Sequence, residues 1–426
     1  MSRRTTSPPR TVPSLRFQEF HERSEWARTT LGSVLEEQRL KSDGRSEVHS
    51  VSLSRGVVPQ IEHLGRSFAA LDTAQYSLVR PYDLVYTRSP LSTYKLGIVK
   101  QHKGSGNAIV SPLYGVFAPK NRYLGQIIEA YFDSPSRSLG FLDPLAQKGA
   151  KNTIQLTNDR FLSGSIYLPH DEDEQQKIAD CLGSLDDLIA VEGRKLEALR
   201  QHKRGLMQQL FPQPGETVPR LRSPTFLGRA EWADEKLDDL AKRGTGHTPN
   251  KARVEYYHGG IKWVSLADSK RLDSGLISET TTEVSEEGIR NSSAVLHSAG
   301  SVILSRDAGV GKSAILGCDM AVSQHFIVWT CDPNSLLSWF LYYQLQLMKP
   351  RFEQIATGST IKTIGLPFFE RLRIAVPGVD EQQRIVDCLS SLDKGLAAQS
   401  LRIGMLKRHK QGLLQQLFPP PMSRES

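Results

Sequence analysis

A glycine-rich segment, Gly309-Val310-Gly311-Lys312-Ser313, carries residue types that suggest phosphate chemistry. It matches the end of a nucleotide-binding loop, but the full pattern needs a glycine five residues before Gly311, where the chain has Arg306. The residues before it, 302–307, are typical of a strand that enters a glycine turn. We therefore expect a tight turn, which is either purely structural or presents Arg306 and Lys312 to nucleic-acid phosphates.

Other patterns that could indicate catalysis or metal binding are incomplete. Asp234-Glu235-Lys236 has the acidic-x-Lys spacing of nucleases, but no upstream catalytic aspartate accompanies it. The Asp/Asn-Pro-Pro-Tyr/Phe loop of amino-methyltransferases and the HExxH motif are missing, and the eleven histidines show no ligand spacing. We therefore predict no catalytic residue, no metal site and no cofactor in this chain.

The composition indicates a globular chain that favours a polyanionic partner. Its 426 residues are enough for two to four domains, and a hydrophobic content of 38% supports ordinary cores. No apolar run approaches about 18 residues, so we expect no membrane span. The formal net charge is +8, and four cysteines without a CxxC pair fit a reducing cytoplasm. Residues 1–12 carry no apolar signal region and read as a disordered tail.

The chain contains an internal repeat. Residues 174–212 and 381–419 share 21 identities in 39 positions without a gap. A weaker repeat lies upstream, because the segments that begin at Pro13 and Pro219 share Pro-x-Leu-Arg and a later Glu-Trp-Ala. Most of residues 32–150 and 238–357 show no convincing similarity. The chain therefore contains two copies of a shared frame, which consists of the upstream segment and the repeated stretch. Each copy of the frame encloses a different middle region, which we call the first middle (within 32–150) and the second middle (within 238–357).

The repeated stretches have the spacing of long helices with a heptad seam. Apolar residues recur at alternating steps of four and three for about five heptads, and no proline interrupts either run. Polar Glu192, Lys203, Gln399 and Lys410 fill the missing slots. We expect the seam residues to serve in pairing, spacing and partner docking; they are Ile178, Leu182, Leu185, Leu196, Leu199, Leu206, Leu210, Ile385, Leu389, Leu392, Ile403, Leu406, Leu413 and Leu417.

The charge pattern favours antiparallel pairing of the two helices. Each helix starts acidic and ends basic, so the start of one suits the end of the other as well as its own macrodipole. Because each helix follows one of the different middles, the two middles are predicted at opposite ends of a rod. The alternative is two unrelated amphipathic helices that pack only on their own domains.

The residues resemble the specificity (S) subunits of type I restriction-modification enzymes over nearly the whole chain. The Glu-Gln-Gln-x-Ile start and Leu-x-Gln-Gln-Leu-Phe-Pro end of both helices carry this resemblance, together with Gly246-His247-Thr248-Pro249 and the segment from Tyr256 to Trp263. The segments from Tyr82 to Tyr86 and from Ser111 to Phe117 look like the first variable region of such subunits.

The resemblance implies a mixed α/β (α+β) fold with two globular target recognition domains. A pair of long antiparallel coiled-coil helices separates them with pseudo-two-fold symmetry. The implied divisions are a tail at 1–12, target recognition domains at 13–172 and 213–378, helices at 173–212 and 379–419, and a tail at 420–426.

In that family each target recognition domain reads one half of a bipartite DNA site, and the helices set the spacer. The implied partners are double-stranded DNA, two modification (M) subunits and restriction (R) subunits, while S-adenosylmethionine, ATP and Mg belong to those subunits. This chain is then non-catalytic and cytoplasmic, associated with the nucleoid through DNA. A coiled-coil scaffold that does not read DNA, and an orphan or decoy subunit, remain as alternatives.

Candidate DNA contacts are basic, polar and aromatic residues on predicted loops of the two middles, because such side chains contact phosphates and base edges. In the first middle they are Arg80, Arg88, Ser89, Tyr94, Lys95, Lys100 and Lys103. In the second middle they are Lys242, Arg243, His247, Lys251, Arg253, Lys262, Lys270, Arg271, Arg306 and Lys312. For each of them, a solvated surface charge is the competing interpretation.

Overall fold

The computed structural model describes residues 12–70, 72–148, 154–358 and 362–419, and it divides into two compact units. The first unit combines the residues up to Gly193 with those from Leu401 onward, and the second unit contains Arg194–Ser400. The predicted tails at 1–12 and 420–426 lie outside the described residues, except for Val12. Within the described ranges, no helix is both long and apolar enough to cross a membrane.

The first unit contains two four-stranded sheets. Its strands are β1 (Ala27–Thr30), β2 (Leu35–Glu37), β3 (Glu47–Ser52), β4 (Gly56–Pro59), β5 (Ser77–Val79), β6 (Leu84–Thr87), β7 (Ile98–Gln101), β8 (Ala108–Val110), β9 (Gly115–Pro119), β10 (Gln147–Lys148), β11 (Ile154–Gln155) and β12 (Ser165–Leu168). The sheet orders are β2-β9-β6-β7 and β4-β3-β8-β5, and two further pairs are β1-β12 and β10-β11. Strands β6 and β7 are buried along their whole length; β6 is mainly apolar, whereas β7 also buries Lys100 and Gln101.

Short helices complete the first unit. They are α1 (Gln60–Leu64), α2 (Arg122–Phe132), α3 (Pro135–Leu142) and α4 (Asn158–Ser163). Helix α2 begins where the Asn121 side chain accepts a hydrogen bond from the Leu124 amide at 2.8 Å, and its apolar face packs into the core. In that core the Phe161 ring stacks on Tyr86 and Phe117, with centroids 4.9 and 5.0 Å away.

The second unit contains a five-stranded and a four-stranded sheet. Its strands are β13 (Ala233–Lys236), β14 (Ala241–Thr245), β15 (Tyr257–Val264), β16 (Leu276–Ile277), β17 (Thr282–Val284), β18 (Leu296–His297), β19 (Val302–Ser305), β20 (Ser313–Leu316), β21 (Met320–Val322), β22 (Phe326–Cys331) and β23 (Arg373–Val376). The orders are β14-β22-β19-β20-β16 and β17-β15-β21-β18, with a separate pair β13-β23. Its sheets therefore differ in strand number and order from those of the first unit.

Two long helices contribute residues to both units. Helix α5 extends over Glu172–Leu210 and helix α10 over Val379–Gln416. The other helices of the second unit are α6 (Leu237–Leu240), α7 (Glu286–Arg290), α8 (Ser338–Ile355) and α9 (Leu366–Glu370). The first unit's core includes the start of α5 and the end of α10, and the second unit's core includes the end of α5 and the start of α10.

The seam residues differ in burial along the helices. Ile178, Leu182, Leu210, Ile385, Leu389 and Leu417 are buried, whereas Leu185, Leu196, Leu199, Leu206, Leu392, Ile403, Leu406 and Leu413 are half-buried. The polar seam residues Glu192 and Gln399 are also buried. The buried apolar seam residues lie near the helix ends, where the helices join the domain cores, whereas Glu192 and Gln399 lie near the helix centres.

Ion pairs join the two helices in antiparallel register within each unit. In the first unit, the Lys410 ammonium lies 2.6 Å from Asp186 Oδ1. In the second unit, the repeat mate Lys203 pairs with Asp393, which is the repeat mate of Asp186. Lys203 and Lys410 therefore each pair with an aspartate at an equivalent repeat position of the other helix. Both contacts define the same antiparallel register.

Buried charge anchors the first unit's sheet domain to its helices. Lys410 also approaches Asp133 Oδ2 at 3.3 Å, and Asp133 in turn binds Lys100. Burial alone would lower the pKa of Lys100, but the carboxylates of Asp133 and Glu129 raise it above its ordinary value. Lys103 extends the network to Glu129 at 3.0 Å.

The second unit uses a tyrosine at the corresponding contact. The Tyr343 hydroxyl donates to Asp393 Oδ2 at 2.8 Å, and the Lys203 ammonium lies 5.1 Å from the centroid of the same ring. Burial and the Asp393 carboxylate together raise the pKa of Tyr343. The helix register is thus shared by the two units, while the groups that connect it to each domain are different.

Each unit contains one of the two repeated segments that begin at Pro13 and Pro219, which we call the opening segment of the unit. A buried arginine–glutamate pair joins this opening segment to the start of a long helix. In the first unit, Arg16 binds Glu174 through two contacts of 2.7 Å, and the Trp26 indole donates to the same carboxylate at 3.0 Å. In the second unit, the repeat mates Arg222, Trp232 and Glu381 make the same contacts at 2.8 to 3.3 Å. We call each set of three residues an Arg-Glu-Trp clamp.

The opening segment of each unit also contacts the end of the other helix. The Leu15 amide donates to the Gln416 carbonyl at 3.0 Å, and the Leu221 amide donates to the Gln209 carbonyl at 2.9 Å. These bonds satisfy carbonyl groups that the last turn of each helix leaves without an intrahelical partner. The opening segment therefore connects the start of one helix with the end of the other within the same unit.

Removing one charge of the clamp should destabilise the first unit strongly. The Arg16 and Glu174 side chains are only 4% and 1% exposed, so Glu174→Gln would leave a buried guanidinium without its counter-charge. We expect the free energy of unfolding to fall by about 3–5 kcal/mol, as measured by hydrogen exchange of first-unit amides. The matched control Glu286→Gln, which breaks an exposed pair with Arg290, should have almost no effect. Equal effects of the two changes would contradict this role of the clamp.

Candidate nucleic-acid interface

The glycine-rich segment forms the hairpin between β19 and β20. The Gly311 amide donates to the Ser305 carbonyl at 3.0 Å, and Gly309 and Gly311 have φ values of 112° and 83°, which favour glycine. A strand follows the turn, whereas a nucleotide-binding loop leads into a helix. The expected tight turn is therefore present, and its geometry does not support nucleotide binding.

The two cationic side chains of this turn, Arg306 and Lys312, already make hydrogen bonds within the chain. The Lys312 ammonium donates to the Ser269 carbonyl at 3.1 Å and lies 2.9 Å from Asp273. The Arg306 guanidinium donates to the Ile364 carbonyl at 3.2 Å. Both side chains are half-buried, so a phosphate contact by either one would compete with these internal bonds.

The first-unit candidates divide into internal and exposed residues. Tyr94 and Lys100 are buried, and Arg88 is half-buried and donates to the Leu156 carbonyl at 2.6 Å. The exposed candidates are Arg80, Ser89, Lys95 and Lys103, and Lys103 is paired with Glu129. The buried side chains stabilise the domain, which leaves mainly Arg80, Ser89 and Lys95 for an external ligand.

The second-unit candidates divide in the same way. Arg243, Arg253, Lys262 and Arg271 each lie within ion-pair distance of an acidic side chain. Four exposed residues make no side-chain hydrogen bond or ion pair with the described part of the chain; they are Lys242, His247, Lys251 and Lys270. These four have donors that are available to a ligand.

His247 lies on an open polar cleft of about 590 Å³ in the second unit. The lining residues are His247, Thr248, Asn250, Arg290, Asn291, Ser292 and Ser293. Arginine, asparagine and serine are the side-chain types that hydrogen-bond base edges in DNA grooves. Arg290 is 74% exposed, and its contacts with Glu286 are long: its Nε donates to the Glu286 carbonyl at 3.4 Å, and its Nη2 lies 3.8 Å from Glu286 Oε2. Most of its guanidinium donors are therefore available.

Close backbone packing positions the loop that carries His247. A Cβ atom on Gly246 would lie 1.7 Å from the Val322 carbonyl oxygen, so only glycine fits there. The His247 amide donates to that carbonyl at 3.0 Å, and its own carbonyl accepts from the buried Trp263 indole at 3.1 Å. Farther along the loop, the Tyr257 hydroxyl donates to the Pro249 carbonyl at 2.7 Å. The Gly-His-Thr-Pro sequence thus holds the loop against the four-stranded sheet.

The other wall of the cleft comes from helix α7 and the residues after it. The helix begins where the Ser285 hydroxyl accepts a hydrogen bond from the Gly288 amide at 3.0 Å. Of the residues that line this cleft, the candidates predicted from the sequence included His247 but not Asn250, Arg290, Asn291, Ser292 and Ser293. The Arg-Asn-Ser-Ser run at 290–293 was a weak signal, because such residues occur in ordinary loops.

A second polar cleft, of about 530 Å³, lies in the first unit, but its groups bind one another. Asn158 accepts from Arg88 and donates to Glu37 Oε1 at 2.6 Å. This donated hydrogen bond is the main reason why the pKa of Glu37 lies below its ordinary value. The polar atoms of this first-unit cleft are thus less available to an external ligand than those of the cleft around Arg290.

The described residues contain no group of three or more His, Cys, Asp or Glu side chains that could hold a metal ion. The acidic-x-Lys segment lies on β13, where Asp234 binds Arg373 at 2.7 Å. Asp234 is thus half of an exposed ion pair across the β13-β23 strand pair. The two units are both built of mixed helices and strands.

Comparison with known proteins identifies the family of this scaffold. The model for the type I restriction modification DNA specificity domain matches residues 101–201 and 229–402. These residues make up more than half of the chain, which therefore belongs to this family. The resemblance seen in the sequence is confirmed.

Two curated relatives match parts of the chain. The Type I restriction enzyme MjaIX specificity subunit of Methanocaldococcus jannaschii is 26% identical over 167 residues, 38% of each chain. The EcoR124I/EcoR124II specificity subunit of Escherichia coli is 28% identical over 173 residues, 39% of this chain and 41% of the relative. The matches thus span about two fifths of the relatives' lengths.

Solved structures show the same fold. An S subunit from a type I restriction-modification system of M. genitalium aligns with a TM-score of 0.57 and 13% identity, covering 97% of this chain and 100% of the other. A chain from a structure of type I R-M complex assembly and conformational transition aligns with a TM-score of 0.55 and 17% identity, covering 93% and 98%. The predicted mixed α/β fold is thereby confirmed.

One buried carboxyl beside an exposed candidate should make stability depend on pH. Asp83 is buried, its Oδ2 accepts from the Arg80 amide at 2.8 Å, and burial raises its pKa to about 6. Because the folded state then binds more protons than the unfolded state, the free energy of unfolding should fall as the pH rises from about 4 to about 6. We expect Asp83→Asn to remove this loss, so that the variant gains stability relative to wild type over that range.

Urea denaturation of both proteins at pH 4.5, 5.5 and 7.5 measures the effect. The difference between the two proteins is the relevant quantity, because other titrating groups affect both alike. A difference that stays constant across these pH values would show that Asp83 titrates in its ordinary range.

Proposed function

We propose that the chain is the DNA-recognition subunit of a type I restriction-modification complex and reads an asymmetric bipartite site. The observation that carries the proposal is that the same Arg-Glu-Trp clamp holds two unlike sheet domains. A repeated frame with different contents suits two readers of different sequences. The positive charge of the chain and the available donors around Arg290 support a DNA ligand.

We propose that the sheet domains are target recognition domains, with boundaries at 13–172 and 213–378. In the second domain, the cleft around His247 and Arg290 contacts base edges, and Lys242, Lys251 and Lys270 contact phosphates. In the first domain, Arg80, Ser89 and Lys95 are the corresponding surface residues. Phosphate contacts position the protein on DNA, while contacts to base edges supply the sequence preference.

The two long helices form one antiparallel coiled coil in this proposal. The contacts of Lys410 with Asp186 and of Lys203 with Asp393 support a single register. The coiled coil sets the distance between the half-sites and binds two M subunits, through which R subunits join. Four exposed apolar side chains on the helices, Leu188, Val191, Leu401 and Met405, support the presence of a partner.

The deciding experiment sequences the modified bases in DNA from cells that express this chain with its M subunit. We expect a split motif with two different halves, lost when the chain is deleted. A scaffold that does not read DNA would give no motif of its own. A decoy subunit would bind M but abolish methylation in a complementation test. Either outcome would overturn the proposed function.

Replacing Arg290 should weaken reading of one half-site. Arg290→Ala removes an exposed guanidinium from the cleft, and we expect a loss of about 1–3 kcal/mol in binding of the M–S complex to its site, with relaxed preference at one base pair. Competition binding at fixed salt measures this loss, because affinity for DNA depends steeply on salt. The control Arg204→Ala removes a similarly exposed guanidinium, 70% accessible, from helix α5. Equal losses for both variants would exclude a base contact by Arg290.

Shortening both helices by one heptad should shorten the spacer. In the register of the two ion pairs, residues 190–196 lie opposite 400–406, so deleting both segments keeps the seam in phase. Each helix loses about 10 Å, or about three base pairs along DNA. We expect the same half-sites separated by a shorter spacer in the methylated motif. An unchanged spacer in an active complex would refute the role of the helices as a ruler.

A further inference from the structure

The two opening segments differ at one position beside the clamp. Each segment ends in a short 3-10 turn, Gln18–Phe20 in the first unit and Pro224–Phe226 in the second. The residue before this turn is Phe17 in the first unit and Ser223 in the second. The flanking residues Phe20 and Phe226 are buried in both units, so the change from phenylalanine to serine occurs within a shared framework.

In the first unit the Phe17 side chain covers the start of helix α5. It is partly buried and packs against the core that includes Ile178. The Lys177 ammonium lies 5.7 Å from the centroid of its ring and 3.2 Å from Glu19, two residues after Phe17. The Phe17 ring thus covers an apolar surface at the start of the helix, and the Glu19 carboxylate pairs with the adjacent Lys177.

In the second unit the corresponding place is a cavity of about 410 Å³. Ser223 and Thr225 stand where the first unit has Phe17 and Glu19. Leu210, Leu221, Phe226 and Ile385 give the cavity apolar walls, and Arg384 and Cys388 also line it. Arg384, the repeat mate of Lys177, makes no hydrogen bond or ion pair with any residue that the structure describes.

We propose that this cavity binds a segment of a partner protein that supplies an aromatic side chain and, two residues later, a carboxylate. The aromatic ring takes the place that Phe17 occupies in the first unit, and the carboxylate pairs with Arg384 as Glu19 pairs with Lys177. Residues 1–11 and 420–426 contain no aromatic residue, so these two segments of the chain cannot supply the ring. The site accepts a single partner segment per chain, because Phe17 already fills its counterpart.

This inference goes beyond the proposed function, because it concerns a protein ligand and none of the cavity's lining residues lines the polar cleft around Arg290. A failure of DNA reading would leave it standing, and loss of peptide binding would leave the DNA reading untouched.

The test uses the full chain and a fluorescein-labelled, end-capped peptide with the sequence Gly-Ser-Phe-Gln-Glu-Ser-Gly. We expect saturable binding by fluorescence anisotropy at one site per chain, and slower alkylation of Cys388 in the presence of peptide, measured by mass spectrometry. A peptide with serine in place of phenylalanine should bind at least tenfold more weakly. Equal binding of the two peptides, or no protection of Cys388, would overturn the proposal.

Variants that exchange the two copies provide matched controls. Ser223→Phe with Thr225→Glu should fill the cavity, keep the thermal midpoint at or above that of wild type, and reduce peptide binding at least tenfold. Phe17→Ser with Glu19→Thr should open the counterpart and raise the stoichiometry from one peptide to two. Unchanged peptide binding by the filled variant would refute the assigned site, even if the second variant fails to fold.

Two further measurements identify the occupant. Arg384→Glu should weaken binding of the peptide and favour a version with lysine in place of glutamate, which tests the charge pairing directly. In sedimentation experiments without peptide, we expect Ser223→Phe to leave the association state of the chain the same as that of wild type. Self-association of the wild-type chain that Ser223→Phe abolishes would assign the cavity to a second copy of this chain and overturn the assignment to a different protein.

Discussion

The structure depends on a glutamate carboxylate that is buried at the start of each long helix. Burying this charge is costly unless it is paired and hydrogen-bonded, and here arginine and tryptophan side chains from the opening segment satisfy it. The requirement links three segments that are distant in sequence. It thereby fixes where each sheet domain begins relative to the helix that follows it, whatever the domain contains.

The helices add a second constraint, which the two units satisfy differently. Both lysines in the seam pair with carboxylates at equivalent positions, so the register is common to the two copies. The first unit then surrounds its lysine with further carboxylates, while the second unit supplies a tyrosine. The domains therefore diverged while the positions of the helix contacts remained the same.

Much of the frame could be predicted from the sequence, because heptad spacing and repetition depend on local pattern alone. The repeated stretches lie on helices α5 and α10. The surface of each domain was harder to predict, because burial depends on tertiary packing. Lys100 was predicted as a DNA contact but pairs with Asp133 inside the first unit, and Arg290 and Asn291, which were not predicted as site residues, line a cleft. Long-range neighbours of this kind have no signature in a single sequence.

The first unit is assembled from both ends of the chain, which has a consequence for its biosynthesis. Its core contains Trp26 and Phe161 together with Leu414, Leu417 and Phe418. The second unit is continuous from Arg194 to Ser400. A ribosome therefore completes every residue of the second unit before it makes the last core residues of the first. The first unit's earlier segments therefore keep part of their apolar core surface exposed until the later part of the chain has been synthesised.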